Sequence, residues 1–128
     1  MYSSRSTPDD RDHPVYDLFS RGTAFLRDGH PHQAAMLLGQ AKLLEPEKAS
    51  IREALGRALF MIGRHAPARR EFAKAVALDP ASDYAHFGLA VACARTGEVP
   101  RAVGHLKLAL AMRPGVRAYE RELARLSR

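Results

Sequence analysis

Tryptophan is absent, cysteine occurs once, and tyrosine and phenylalanine contribute only 4 and 5 of the 128 residues. A lone Cys93 cannot close an internal disulfide, so the fold does not rely on oxidation and a reducing compartment fits. No apolar run approaches the ~20 residues that span a bilayer, so no membrane partner is expected. Residues 1–14 (MYSSRSTPDDRDHP) hold no apolar segment of the kind a secretory signal requires, and a cytoplasmic location is the expectation. The means for metal, phosphate or nucleophilic chemistry are also missing. His30 and His32 lie two apart with Asp28 close by, but no further ligands follow, and they read as surface-turn residues. Gly22 and Gly56 are isolated small residues rather than parts of a phosphate loop. Cys93 stands where a helical pattern wants an apolar residue, so it reads as a buried, inert thiol. No cofactor, metal or catalytic set is implied, and an enzyme is not expected.

What the chain does have is a clock. Pro46, Pro80 and Pro114 fall 34 residues apart, as do Gly29, Gly63 and Gly97. Three alanine triples keep the same register: Ala24, Ala58 and Ala92; Ala34, Ala68 and Ala102; Ala41, Ala75 and Ala109. With only 9 glycines and 8 prolines present, coincidence in one register is excluded. A period in this range means stacked helix pairs rather than one central core.

Residues 1–14 are polar and are expected to form a disordered tail. Three blocks follow, 15–48, 49–82 and 83–116, each predicted to be two helices, A and B. In helix A, apolar or small residues recur at helical spacing, as at Leu55, Ala58, Leu59 and Ile62. Glycine ends it, because glycine alone enters the left-handed turn without steric penalty. Helix B carries two alanines seven apart, such as Ala68 and Ala75, that let backbones approach, with Phe72 (Leu38 and Leu106 elsewhere) filling the gap. Proline then ejects its preceding residue from the helical region. In residues 117–128, Tyr119, Leu123 and Leu126 lie on one face with Val116 just before them, and Glu120, Arg121, Glu122 and Arg125 turn elsewhere, as in a capping helix. The expected fold is therefore all-α, with seven helices in a solenoid of antiparallel pairs.

The pattern resembles the tetratricopeptide repeat (TPR) family. The second block carries it best, in Leu55-Gly56, Leu59, Gly63, Ala68, Phe72, Ala75 and Pro80. The first gives Gly22, Phe25, Gly29, Ala34, Leu38, Ala41 and Pro46, and the third Leu89-Ala90, Cys93, Gly97, Ala102, Leu106, Ala109 and Pro114. Arg52 and His86 replace the bulky apolar residue found as Leu18 in the first block, and Arg21 is also unusual. The resemblance implies a right-handed superhelix whose A helices line a concave groove, and a function of binding other proteins.

Threading the blocks on that pattern puts Tyr16, Phe19, Thr23, Leu26 and Arg27 in the groove from the first repeat. The second contributes Ser50, Glu53, Arg57, Phe60 and Met61, and the third Tyr84, Phe87, Val91, Ala94 and Arg95. Five aromatics on one stripe suit a peptide anchor. Arg27, Arg57 and Arg95 suit a ligand with acidic residues, setting its orientation and on-rate. His86 is expected near Tyr84 and Phe87, where it would lend the groove pH sensitivity. The expected function is a non-catalytic module that holds a partner's peptide segment, as an adaptor, scaffold or chaperone. The competing expectation is self-assembly into a homo-oligomer, with residues 1–14 (Tyr2, Pro8 and Asp9-Asp10-Arg11-Asp12) as the ligand in cis or trans.

Related TPR domains bind acidic chaperone C-termini through a clamp of Lys, Arg and Asn. The matching positions here are Phe19, Thr23, Ala54, Tyr84 and Gly88, so the resemblance does not extend to that ligand. Three-repeat secretion chaperones with apolar grooves are also similar, but they carry a helical N-terminal extension that residues 1–14 do not resemble. The net charge of +6 invites a nucleic-acid reading. The similar RNA-binding pentatricopeptide repeats run at a period of 35, lack the closing proline and need polar base readers where this chain has Phe19 and Phe87. Nucleic acid is disfavoured, and basic Arg64, Arg69, Arg70 and Lys74, with Glu71 among them, read as a solvated convex face.

Overall fold

The computed structural model describes residues 13–128. Seven helices follow in order: α1 Pro14–Arg27, α2 Pro31–Leu44, α3 Ala49–Met61, α4 His65–Leu78, α5 Asp83–Arg95, α6 Val99–Met112 and α7 Arg117–Leu126. Each packs on its sequence neighbours, and odd-numbered helices also touch the next odd-numbered one, which is the contact pattern of a solenoid. No strand occurs among the described residues, and no helix there is long and apolar enough to cross a membrane.

Two local devices reverse the chain. At the A-to-B turns Gly29, Gly63 and Gly97 take φ of +83°, +84° and +84°. The next residue closes each turn by donating back five residues, as His30 N–H does to Phe25 O (2.8 Å), Arg64 to Leu59 (2.9 Å) and Glu98 to Cys93 (2.8 Å). At the B-to-A turns the residues before proline leave the helix, with φ/ψ of −136°/80° at Glu45, −142°/83° at Asp79 and −139°/87° at Arg113. The expected tail falls largely on residues 1–12, outside the described residues. Its last two positions are structural: His13 caps α1, its Nδ1 accepting from Val15 N–H, and Pro14 opens that helix.

Helix B alanines Ala34, Ala41, Ala68, Ala75, Ala102 and Ala109 are all fully buried. Between them Leu38, Phe72 and Leu106 plug the seams between A helices. Phe72 is clamped most tightly: a Cβ on Gly56 would lie 3.0 Å from its ring, and one on Gly88 only 2.2 Å.

Two expectations at the helix A–helix B contact are corrected, for Glu71 and for His86. Arg52, at the position that Leu18 fills in the first repeat, is met by Glu71 from α4. The Arg52 Nη1 and Lys42 Nζ groups donate to the two Glu71 oxygens at 3.0 and 2.8 Å, tying α2, α3 and α4 together. Glu71 is thus buried rather than part of a solvated convex face. His86 is likewise buried and lies away from the groove, its Nδ1 3.0 Å from His105 Nδ1 and its Nε2 2.9 Å from the Pro80 carbonyl. A carbonyl only accepts, so neutral His86 carries its proton on Nε2 and receives one from His105 Nδ1–H. The groove therefore gains no pH sensitivity from His86.

The cap α7 buries Tyr119, with Leu123 and Leu126 against the core. The Tyr119 hydroxyl donates to Asp83 Oδ2 at 2.5 Å, and Arg113 Nε holds the same carboxylate at 3.4 Å. Glu122 corrects a further expectation: it is half-buried and turns toward the concave side, where it lines a cleft.

Candidate functional site

The predicted stripe does not form one continuous groove. The structure divides it into two clefts on the concave side. Tyr16, Phe19 and Ser50 line a pocket at the N-terminal end, between α1 and α3, whose floor includes Val15 and Ile51. Arg57, Phe60, Met61, Tyr84, Phe87, Val91 and Arg95 line a second, of about 230 Å³, between α3 and α5. Thr23, Arg27, Glu53 and Ala94 line neither. Thr23 turns its hydroxyl back to the Ser20 carbonyl, Arg27 is exposed at the end of α1, and Ala94 packs against the core. Leu26, threaded into the groove, is instead buried against Leu38 and Leu55.

The second cleft is built by the rules that built the repeats. Arg57, Phe60 and Met61 on α3 stand 34 residues before Val91, Ala94 and Arg95 on α5, so each helix offers the same face. Phe72 forms its floor, visible because Gly56 and Gly88 put no side chain over the ring. Tyr84 meets Phe72 edge-on with centroids 6.4 Å apart and lies 6.5 Å from Phe87. Phe87 in turn packs at 4.8 Å on Tyr119 of the cap. The two outer aromatics therefore differ in role: Tyr84 is open to solvent, while Phe87 holds α5 to α7 and is not a free groove residue. Phe60 is half-buried beneath the Arg95 guanidinium, 5.3 Å from its ring centroid.

Charge is distributed unevenly along the cleft. Arg57 and Arg95, toward the C-terminal ends of their helices, are exposed, and neither is paired with a carboxylate among the described residues. Outside the cleft, toward the N-terminal ends of α3 and α5, Glu53, Asp79 and Asp83 gather negative charge. Glu53 accepts from Ser82 Oγ at 2.9 Å, and burial pushes its pKa up, aided by Asp79 and Asp83 against the opposing Ser82 hydrogen bond. Burial likewise raises the Tyr84 phenol, with Arg57 pulling the other way. Glu122, the one acid in the cleft lining, is already paired with Arg125.

Gly88, Phe72 and Glu122 line this cleft without having been expected there. The 34-residue register holds the signal: Glu122 follows Gly88 by one period, so α7 continues the A-helix series. No group of three metal-ligating side chains occurs among the described residues, and Cys93 is buried with its thiol pKa pushed up by burial.

A profile of the tetratricopeptide repeat matches residues 19–83 and 63–117. Solved structures are similar in fold. MamA superposes with a TM-score of 0.82 at 23% identity, over 88% of this chain and 66% of that one, so this chain spans just under two thirds of it. The first TPR of Spaghetti (RPAP3), bound to the HSP90 peptide SRMEEVD, gives 0.85 at 18% identity over 89% and 90% of the two chains. The second TPR domain of human RPAP3, in complex with the HSP70 peptide SGPTIEEVD, gives 0.84 at 18% over 90% and 96%. At these identities the likeness is one of fold. No curated protein matches by sequence.

Proposed function

The chain belongs to the tetratricopeptide repeat family, and on that premise we propose that it is a non-catalytic module that holds a peptide segment of a partner protein in the α3–α5 cleft. Three repeats (15–48, 49–82 and 83–116) carry the cleft, and residues 117–128 close the stack. The observation that carries the reading is the pairing of open aromatic and apolar surface at Tyr84, Met61 and Val91 with two arginines, Arg57 and Arg95, that have no carboxylate of their own.

The ligand is then a segment with a large apolar side chain next to one or more carboxylates. Burying the apolar group supplies most of the affinity, since hot-spot aromatics cost ~2 kcal/mol or more on truncation. The arginines orient the segment and speed its capture, because exposed ion pairs contribute only ~0–1 kcal/mol each. Spaghetti and human RPAP3 bind peptides ending in EEVD. This chain offers Phe19, Thr23, Ala54, Tyr84 and Gly88 at the clamp positions, so it grips the apolar part of a ligand more than a terminal carboxylate.

Selection of a phage-displayed random peptide library against the full chain tests this. Enriched peptides are expected to combine an aromatic or aliphatic residue with Asp or Glu, and to lose at least tenfold in affinity on Tyr84→Ala/Met61→Ala at unchanged melting temperature. Enrichment of basic peptides, or undiminished binding to that folded variant, refutes the assignment.

A further inference from the structure

The convex side has two seams between B helices, and they are closed differently. At the α4–α6 seam Arg69 Nη1 reaches across to Glu98 Oε2 at 2.6 Å and to Thr96 Oγ1 at 2.9 Å. That staple ties helix B of the second repeat to the turn that starts helix B of the third. One period earlier, the same three positions at the α2–α4 seam are Ala35, Ile62 and Arg64. The bridging arginine has become a methyl group, its hydroxyl acceptor an aliphatic side chain, and its carboxylate partner a second cation. That staple is therefore missing here: the Lys42–Glu71 pair crosses the seam further along, and the stretch beside Ala35 and Arg64 stands open.

The result is a cleft of about 570 Å³ between α2 and α4, floored by Ala35, Leu55, Leu59 and Ile62 and edged by His32, Lys42, Arg64 and Arg70. Its sole carboxylate, Glu71, is consumed by Arg52 and Lys42. Arg64 and Arg70 form no ion pair among the described residues. The apolar surface continues along α2 through Met36 and Leu43, which are 63% and 80% exposed. These two lie seven apart, on one stripe of the helix.

We propose that this open α2–α4 seam is a second docking surface, and that its occupant is an acidic amphipathic helix of a partner protein. The charge supports acid, since the rim is basic and its own carboxylate is neutralised. The floor favours a protein over RNA: it is aliphatic, with no Phe, Tyr or Trp of the kind that gives single-strand binders their ~1–3 kcal/mol of stacking per base. The length supports a helix, because α2 and α4 each run 14 residues, a trough of roughly 21 Å. A bound helix would set leucine-like side chains on Ile62 and Met36 and carboxylates on Arg64 and Arg70.

The repeats themselves supply the decisive variant. Ala35→Arg/Arg64→Glu installs in the second seam the ion pair that the third already carries, closing the cleft with a geometry this fold tolerates. The probe is a capped 14-residue peptide with Leu at i, i+3, i+7 and i+10 and Glu between. Its controls are the Lys-for-Glu and Ser-for-Leu versions and a single-stranded RNA 12-mer, all titrated against the labelled full chain with backbone amide shifts recorded. The acidic peptide is expected to move amides of α2 and α4, to bind at least tenfold tighter than either control peptide, and to weaken steeply with salt. Binding should fall at least tenfold in Ala35→Arg/Arg64→Glu and, should that variant misfold, in Arg64→Ala/Arg70→Ala, while Tyr84→Ala leaves it unchanged. Shifts confined to the α3–α5 cleft, no shifts, or tighter binding of the RNA overturn the proposal. Because Tyr84→Ala reports only on the concave cleft, failure of one surface leaves the other standing or falling on its own data.

Discussion

Gly88→Ala adds one methyl group in the middle of α5, and helix propensity alone makes it a stabilising change of roughly 1 kcal/mol. The packing predicts the opposite. The new Cβ would sit 2.2, 2.4 and 2.5 Å from three carbons of the Phe72 ring. That is more than 1 Å inside the ~3.5 Å at which carbon atoms attract. The ring cannot simply slide away, because a Cβ on Gly56 across from it would already be at 3.0 Å, so the α3 backbone lies directly behind. Overpacking of this kind costs ~1–3 kcal/mol, and a clash this deep belongs at the upper end. Subtracting the propensity gain leaves a net loss of about 1–2 kcal/mol.

Urea unfolding followed by helical ellipticity, with a Gly104→Ala control, isolates the effect. A Cβ at Gly104 meets nothing within 4 Å on the exposed face of α6, so the control should gain up to ~1 kcal/mol. The first repeat suggests the rescue, since it solves the same seam with Gly22, Leu38 and Ala54. Phe72→Leu/Gly88→Ala copies that solution and should recover most of the loss, giving a coupling well above the ~0.5 kcal/mol expected of independent sites. If Gly88→Ala stabilises the chain as much as Gly104→Ala does, the clamp on Phe72 is not real.

Glu71→Gln should destabilise by about 2–3 kcal/mol, less than a fully buried break because Lys42 can turn to water, whereas Arg52→Leu/Glu71→Leu should restore most of that stability in the same urea titration. Tyr119→Phe deletes the hydrogen bond to Asp83 and should cost ~1–2 kcal/mol, read as faster amide exchange across α7. Burial, then the neighbouring His86 and Arg101, hold the His105 pKa below its ordinary 6.5. The unfolded chain then takes up the proton more readily, so this stability is intact above about pH 6.5 and is lost as pH falls below it. His105→Asn should flatten the slope of urea midpoints between pH 7.5 and 5.5, and an unchanged slope would place the titration elsewhere.

The period was legible because it is written in residues that backbone geometry demands. Gly29, Gly63 and Gly97 hold φ values that other residues resist, and each proline expels the residue before it. Gly115, at φ +85°, lies outside that register: the matching positions in the earlier turns are Glu47 and Ala81, which keep negative φ, so only the third B-to-A turn takes this shape. The candidate site was legible only in part. A helical stripe specifies a face of about 100°, and Leu26 sits near its edge, where the presence of α3 draws it into the core. Phe87 was placed on the right face, but whether it is free depends on Tyr119, which comes from a different helix 32 residues away.

The same limit explains the positions that looked like flaws. One pair of helix A and helix B positions, 19 residues apart, is in contact in the second and third repeats. Its occupants are Arg52 and Glu71 in the second and His86 and His105 in the third, and the same two positions of the first repeat hold Leu18 and Leu37. Taken singly, Arg52 and His86 depart from an apolar consensus and predict weak packing. Taken as pairs, each is a closed solution to one requirement, that a buried group must have its polar atoms matched or have none. An apolar pair meets it with no polar atoms at all. The ion pair meets it by spending both Glu71 oxygens on two cations, and the histidine pair by passing one proton to a ring that passes another to a carbonyl. Selection in such a fold acts on the pair and not the residue. A change at one member should therefore be damaging until its partner changes too, whereas the exposed positions of the two clefts carry no such partner and are free to follow a ligand.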